Sequence, residues 1–306
     1  MPTGRRAPGR HRRRATRSPV RRRARATSSL VADGRQLILQ RQRSGAERSM
    51  EHEAEILRAA HRAGVPVPEV VASSGDAAAL GAPFLLVTAI EGETIARKLL
   101  RDEEFAEARR ILPAQLGRAA AAIHRIDPAG IPGLEQHDQV AYYRQVLDDL
   151  GQPHPAFELA FRWLEEHRPA SPRTTLVHGD FRLGNVMVGS DGLRAILDWE
   201  LAHLGDPLED LGWLCVRAWR FGGPKPVAGM GDYEELFDAY EAASGAAIDR
   251  EAARWWEVLD AQMGDHVHPP GQQPPHRRGP QPRVGRDRTP RLRERVRPVP
   301  GLGGSW

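Results

Sequence analysis

The chain has 306 residues, 40% of them hydrophobic and 27% charged, with a formal net charge of +4; that suits one large domain or two small ones with a substantial core. No apolar run long enough for a membrane span and no signal-peptide pattern is present. The single Cys215 excludes an intramolecular disulfide and a cysteine-built zinc site, which fits a reducing cytoplasm.

Met1 to Ala26 hold eleven arginines and no acid, and like charges at that density disfavour a packed element. Between residues 27 and 263 there are 24 basic residues against 37 acidic ones, so the body is acidic and all the basicity lies in the ends. That distribution is not one nucleic-acid-binding surface. LVADGRQLILQRQ reads as a hairpin turning at Asp33-Gly34. MEHEAEILRAAHRAG has helical spacing, with Ile56, Leu57 and Ala60 on one side, and stops at Gly64. VPVPEVVASS is extended, because Pro66 and Pro68 disfavour helix, and APFLLVTAIEGET is a buried strand running into a glycine turn.

Residues 103–126 are helical, with Pro113 as a break; further helices cover 139–150 and 156–168. TLVHGD, NVMVG and LRAILDWE are short strands or loops, residues 206–220 return to helix, and the last helices cover 232–243 and 249–262. Nine prolines after residue 264 forbid long helices there. Strands come first and helices later. An α+β chain is expected, with a small sheet-bearing N-lobe at 28–92 and a larger helical C-lobe at 93–263. Residues 1–27 and 264–306 are expected to be structureless ends.

The stretch HGDFRLGNVMVGSDGLRAILDWE, residues 178–200, carries the chemistry. A hairpin turning at Ser190-Asp191-Gly192 brings the loops before and after it to one edge. There the Asp198 carboxylate and the Asn185 amide oxygen can jointly hold a hard cation such as Mg²⁺. Asp180 is then free to take a proton from a substrate hydroxyl, and Arg182 can stabilise a transferring phosphoryl group. The order of base, cation and two metal ligands follows the logic of a kinase catalytic loop. Taken singly, each of these residues is more often a turn, capping or packing residue; the joint spacing carries the reading.

HGDFRLGNVMV followed by ILDWELAHLGDPLEDLGWL resembles the aminoglycoside phosphotransferase/choline kinase family, in particular the branch whose animal members are fused to acyl-CoA dehydrogenases. The likeness extends upstream through HEAEILRAAHRAGVPVPEVV, LGAPFLLVTAIEGETI and LGRAAAAIHRID, covering about residues 30–260. It implies a protein-kinase-like two-lobed fold and an ATP- and Mg²⁺-dependent phosphotransferase acting on a hydroxyl of a small molecule. It also implies Asp180 as base, Arg182 on the γ-phosphate, and Asn185 and Asp198 on magnesium. Glu53 matches the acidic partner of a strand cation, and Val87, Thr88 and Ala89 match the adenine-contacting hinge. Glu200, Asp206 and Asp210 are loop-ordering or substrate-side acids by the resemblance, and surface or capping charges by composition. Of Trp213 and Trp219, at least one is a candidate for lining an acceptor pocket, while core packing is the simpler role for Trp213.

Two departures from the family pattern stand out. The strand cation position holds Gln40, and the neighbouring Arg41 points to the opposite face. The glycine-rich segment expected to cover the nucleotide phosphates is replaced by RRRATRSPVRRRARATSS. The arginine-rich composition of both ends, against a body with only Lys98 and Lys225 as lysines, suggests ends read out of frame. Alternatives to a working kinase are a nucleotide-binding pseudokinase with impaired catalysis and, against the acidic body, a protein binding nucleic acid through its arginine tails. Acceptor cues conflict: the acidic lobe favours a cationic alcohol, while the dehydrogenase-linked branch favours a hydroxyacyl compound.

Overall fold

The computed structural model describes residues 25–32, 34–42, 49–151, 155–170 and 173–264. Expectations for residues 1–24 and 265–306, their reading frame included, lie outside the described residues. Eight strands and eight α-helices are described in two lobes. The first lobe is one antiparallel sheet in the order β1-β2-β4-β3, from β1 (Arg25–Ala32), β2 (Arg35–Gln42), β3 (Val70–Ser74) and β4 (Phe84–Thr88). Helix α1 (Met50–Arg62) crosses it, packing against β3 and β4. Ser49 caps α1 by accepting from the Glu51 N–H at 3.2 Å, and Glu51 and Glu53 place negative charge in its first turn. Its apolar side buries Ile56, Leu57 and Ala60 as expected.

The first strand begins earlier than the sequence suggests. Arg25–Thr27 pair with Gln42–Gln40, so the stretch expected to lack structure loses its last three residues to the sheet. A partner strand satisfies their backbone groups, which composition cannot foresee.

After the sheet come α2 (Ala96–Arg101), unpredicted from sequence, and α3 (Ala106–His124). The expected break at Pro113 does not occur; α3 runs through it. One proline removes a single intrahelical bond, and its buried ring is packed tightly against Gly231, where a Cβ would collide with it. Helices α4 (Gln139–Leu150) and α5 (Pro155–Glu166) follow as predicted. Three short strands then lead through the motif: β5 (Thr175–Val177), β6 (Val186–Gly189) and β7 (Gly192–Ile196). A fourth, β8 (His203–Gly205), pairs with β5 and was not anticipated. The helix expected over 206–220 stops early. It is α6 (Pro207–Cys215), followed by extended Val216 and a 3-10 turn at Arg217–Arg220. The Arg220 guanidinium turns back and donates to Cys215 O at 2.8 and 3.0 Å, satisfying the terminal carbonyl. Helices α7 (Tyr233–Ser244) and α8 (Arg250–Gly264) close the described chain.

One apolar core runs from α1 through α3 to α7, joining both lobes, and a second lies among α4, α5 and α8. The β6–β7 hairpin is wedged where the lobes meet. Glu93 and Val188 exchange backbone hydrogen bonds at 2.9 and 3.0 Å, and the Ile196 N–H donates to Pro66 O at 2.7 Å. Among the described residues no helix is long and apolar enough to cross a membrane.

Helices α3 and α7 approach closely at Gly117, where a methyl group would collide with Leu236 O and lie 3.1 Å from Tyr240 N. Overpacking against immovable backbone costs about 1–3 kcal/mol. Gly117→Ala is therefore expected to lower the urea midpoint of unfolding by that much free energy, although alanine is the better helix former; an unchanged midpoint would show that the two helices are free to separate.

Candidate functional site

The HGD loop follows β5 and is fixed from behind by α6. Asp206 caps that helix, accepting from the Leu208 N–H at 2.9 Å with Pro207 in its first turn. One turn on, the Asp210 carboxylate is fully buried and accepts three hydrogen bonds. They come from the backbone N–H of His178 (2.8 Å), the backbone N–H of Gly179 (2.9 Å) and the His124 Nε2 (3.0 Å). Burial alone would raise this carboxyl, but the hydrogen bonds from His124 and from the His178 backbone hold it below the usual carboxylate range. Of the two roles open to these acids, Asp206 is the helix cap and Asp210 the loop anchor. The loop can curl around Asp210 because Gly179 has φ +76°, and a Cβ there would strike Leu201 O.

His178 is entirely buried and its tautomer follows from its partners. The Asp180 N–H donates to Nδ1 at 3.2 Å, so Nδ1 accepts; Nε2 lies 3.0 Å from Leu197 O, so Nε2 carries the proton. Burial holds the imidazole below its usual range, in keeping with a neutral ring. His178 thus ties the loop to the residue just before Asp198. The Leu197 N–H in turn donates to Asn185 O at 2.8 Å, and Val186 pairs with Ile196 at the base of the hairpin. The two motif halves are therefore bonded to each other at residues 178, 185 and 197.

Asp180 gathers the rest. Its Oδ1 accepts from Arg182 Nε and from Trp213 Nε1, both at 2.8 Å. Its Oδ2 accepts from Asn185 Nδ2 at 2.5 Å, and the same amide nitrogen donates to Asp180 O at 3.0 Å. The Asp180 side chain is 15% exposed and that of Arg182 23%, so the pair is shielded without being sealed. Arg182 also lies over the face of Trp219, its guanidinium carbon 4.3 Å from the ring centroid. With the Asn185 nitrogen committed to Asp180, the amide oxygen is the atom that side chain has left to offer a cation. Asp198 is exposed and takes a left-handed backbone (φ 64°) as it enters the turn Trp199–Leu201, against which α1 packs. Among the described residues no three His, Cys, Asp or Glu side chains gather to form a metal cage. The Asn185 amide oxygen and the Asp198 carboxylate are the hard oxygen donors that the motif offers.

The N-lobe residues lie on the sheet and on α1. Gln40 is half-buried on β2, across from Thr27 and Leu85, and Arg41 beside it is exposed with no register shift in either ladder. Arg41 therefore cannot take the strand-cation place. Glu53 is buried in α1. Val87 is paired on both sides, with Ile38 and Val70, while the Thr88 N–H donates to Glu69 O and the Ala89 N–H to Gln36 O. These two donors are spent inside the lobe, so any backbone donor for a purine must come from beyond Ala89.

Sequence reasoning missed one contributor, His124, and left the roles of Trp213 and Trp219 open. His124 is 86 residues from its partner Asp210 and carried no local signal. Trp213, for which core packing is the simpler role, does pack at 6% exposure, and its indole also meets Asp180. Trp219, at 4% exposure, carries Arg182.

A family model for the phosphotransferase enzyme family matches residues 16–256, more than three quarters of the chain. The chain belongs to that family. The match begins at residue 16, within the arginine-rich N-terminal stretch. Mouse acyl-CoA dehydrogenase family member 10 is 34% identical over 197 residues, covering 60% of this chain and 18% of that protein. Probable acyl-CoA dehydrogenase IBR3 of Arabidopsis thaliana is 30% identical over 190 residues, covering 55% of this chain and 23% of that protein. The chain thus spans about a fifth of the length of these relatives. Among solved structures, a putative aminoglycoside phosphotransferase from Ralstonia eutropha matches with a TM-score of 0.60 at 24% identity, over 77% of each chain. A spectinomycin phosphotransferase in complex with ADP and spectinomycin matches with a TM-score of 0.57 at 13% identity, over 82% of each. These likenesses establish the protein-kinase-like two-lobed fold.

Replacing Asp210 by Asn keeps the shape and removes the charge that three donors address. Breaking a buried charged network of this kind costs about 3 kcal/mol, and Asp210→Asn is expected to lose roughly that stability in urea unfolding. Because the folded carboxyl titrates below its ordinary value, its contribution is present above about pH 4 and is lost as pH falls further. The gap between wild type and Asp210→Asn should therefore narrow on acidification; a gap independent of pH would mean the carboxylate charge is not what holds the loop.

Proposed function

We propose that this family member transfers the γ-phosphate of ATP to a hydroxyl of a small molecule. The observation that carries the reading is the Asp180 carboxylate, fixed by three donors from two segments beside a hairpin that the two lobes hold between them. Asp180 accepts the acceptor's hydroxyl proton while the oxygen bonds to the γ-phosphorus and the bridging phosphorus–oxygen bond breaks, releasing ADP. Arg182 keeps Nε on Asp180 and offers its remaining N–H groups to the moving phosphoryl oxygens. Asn185 and Asp198 would hold magnesium, which when bound neutralises phosphate charge. Gln40 and Glu53 would serve the nucleotide from the other lobe, with the backbone of Val87, Thr88 and Ala89 at its base.

Asp180→Asn is expected to reduce transfer at least about 100-fold, the scale of a lost general base, with nucleotide affinity retained. The measurement is ADP release against a library of hydroxyl compounds, and wild-type turnover in the variant would remove Asp180 from the role. The library should contain both cationic alcohols, favoured by the acidic body, and hydroxyl-bearing acyl compounds, favoured by the dehydrogenase relatives. Asp198→Ala should weaken Mg·ATP binding about tenfold or more, the scale of one lost charge-assisted contact; an unchanged magnesium titration would refute the ligand assignment.

A second reading rests on Gln40. A neutral amide where the family has a strand cation would bind the phosphates more weakly and suits a nucleotide-binding pseudokinase. Gln40→Lys separates the two: a large gain in turnover over a near-inactive wild type favours the pseudokinase, and an already active wild type favours the kinase.

A further inference from the structure

Resting on the phosphotransferase reading, we infer that Trp213 is a positioning residue for Asp180, selecting which carboxylate oxygen meets the acceptor hydroxyl. A carboxylate offers about four lone-pair sites, two on each oxygen. On Asp180 both sites of Oδ1 are filled, by Arg182 Nε and Trp213 Nε1, and one site of Oδ2 is filled by Asn185 Nδ2. The fourth site lies on Oδ2, and that is the atom that receives the acceptor proton.

Asn185 and Arg182 belong to the same loop as Asp180 and move with it. Trp213 does not. It stands on α6, three residues after Asp210, so one helical face grips the loop twice. Asp210 takes the loop's backbone N–H groups, and Trp213 gives an N–H to its side chain. The indole is outside the main core. It belongs to a small cluster with Val216 and Trp219, and its ring centroid is 5.5 Å from that of Trp219. The two tryptophans thus handle the two charges of the site in complementary ways. The edge N–H of Trp213 meets the anion, and the face of Trp219 meets the cation, as the ring quadrupole prescribes. With Trp213 removed, Oδ1 has an open site and the carboxylate can turn, so the acceptor would meet two competing oxygens instead of one.

The test uses the full chain and two readouts. The first is the indole N–H resonance of Trp213 in the nitrogen-labelled protein, which needs no substrate. It should sit downfield in the wild type and move upfield in Asp180→Ala, which removes the acceptor; a resonance that ignores Asp180→Ala overturns the hydrogen bond. The second is slow hydrolysis of Mg·ATP, with water as the acceptor. Trp213→Phe should lower kcat about 10- to 100-fold, the scale of one hydrogen bond to a charged group, with the KM for ATP unchanged and a cooperative thermal transition retained. Wild-type kcat in Trp213→Phe, or a loss of kcat that merely tracks a loss of folded protein, overturns the positioning role. If Trp213→Phe does not fold, Asp180→Ala read at Trp213 still decides the contact. A wild-type chain that neither binds nor hydrolyses Mg·ATP, yet shows the resonance shift, overturns the phosphotransferase reading separately, and the positioning role with it.

Discussion

The site depends on one buried anion. Asp210 has no solvent to neutralise it, and a carboxylate in that position is tolerated only because three donors converge on it. Those donors come from the HGD loop and from α3, so a single charge holds the loop to the helical lobe. His124 extends the chain inward to the Tyr240 hydroxyl at 3.1 Å, on α7. The loop is thereby tied to the closely packed α3–α7 pair, and its backbone has little freedom to answer changes in what it binds.

The same loop is held from its other side by a neutral histidine. His178 accepts from one arm of the motif and donates to the other, which its burial as an uncharged ring permits. The hairpin that follows is bonded at Val188 to the segment after the sheet and at Ile196 to the segment between α1 and β3. A site assembled this way is hydrogen-bonded to both lobes at once. The proposed base and metal ligands belong to this motif, whereas Gln40 and Glu53 belong to the sheet and its helix.

The departure at Gln40 falls on the sheet, between Thr27 and Leu85, and not in the catalytic loop. The hydrogen bonds on Asp180 come from Arg182, Asn185 and Trp213, all in the helical lobe. A chain can lose the strand cation and keep an intact helical-lobe site, which is why a weakened kinase and a nucleotide-binding relative share the same architecture.

The sequence by itself determined the two-lobed order of strands and helices, the hairpin between Asn185 and Asp198, and the cluster of Asp180, Arg182 and Asn185, because those depend on local periodicity and short spacing. It misjudged Pro113, the end of α6 and the start of β1, where a packed ring, a returning arginine and a partner strand override local preference. Only the tertiary structure decided that Asp206 caps while Asp210 anchors, that the Thr88 and Ala89 amides are already spent, and that His124, Trp213 and Trp219 belong to the site. The physical reason is common to all of these. Each rests on a hydrogen bond or ring contact between residues far apart along the chain, or between a helix face and a loop whose relative placement no spacing in the sequence encodes.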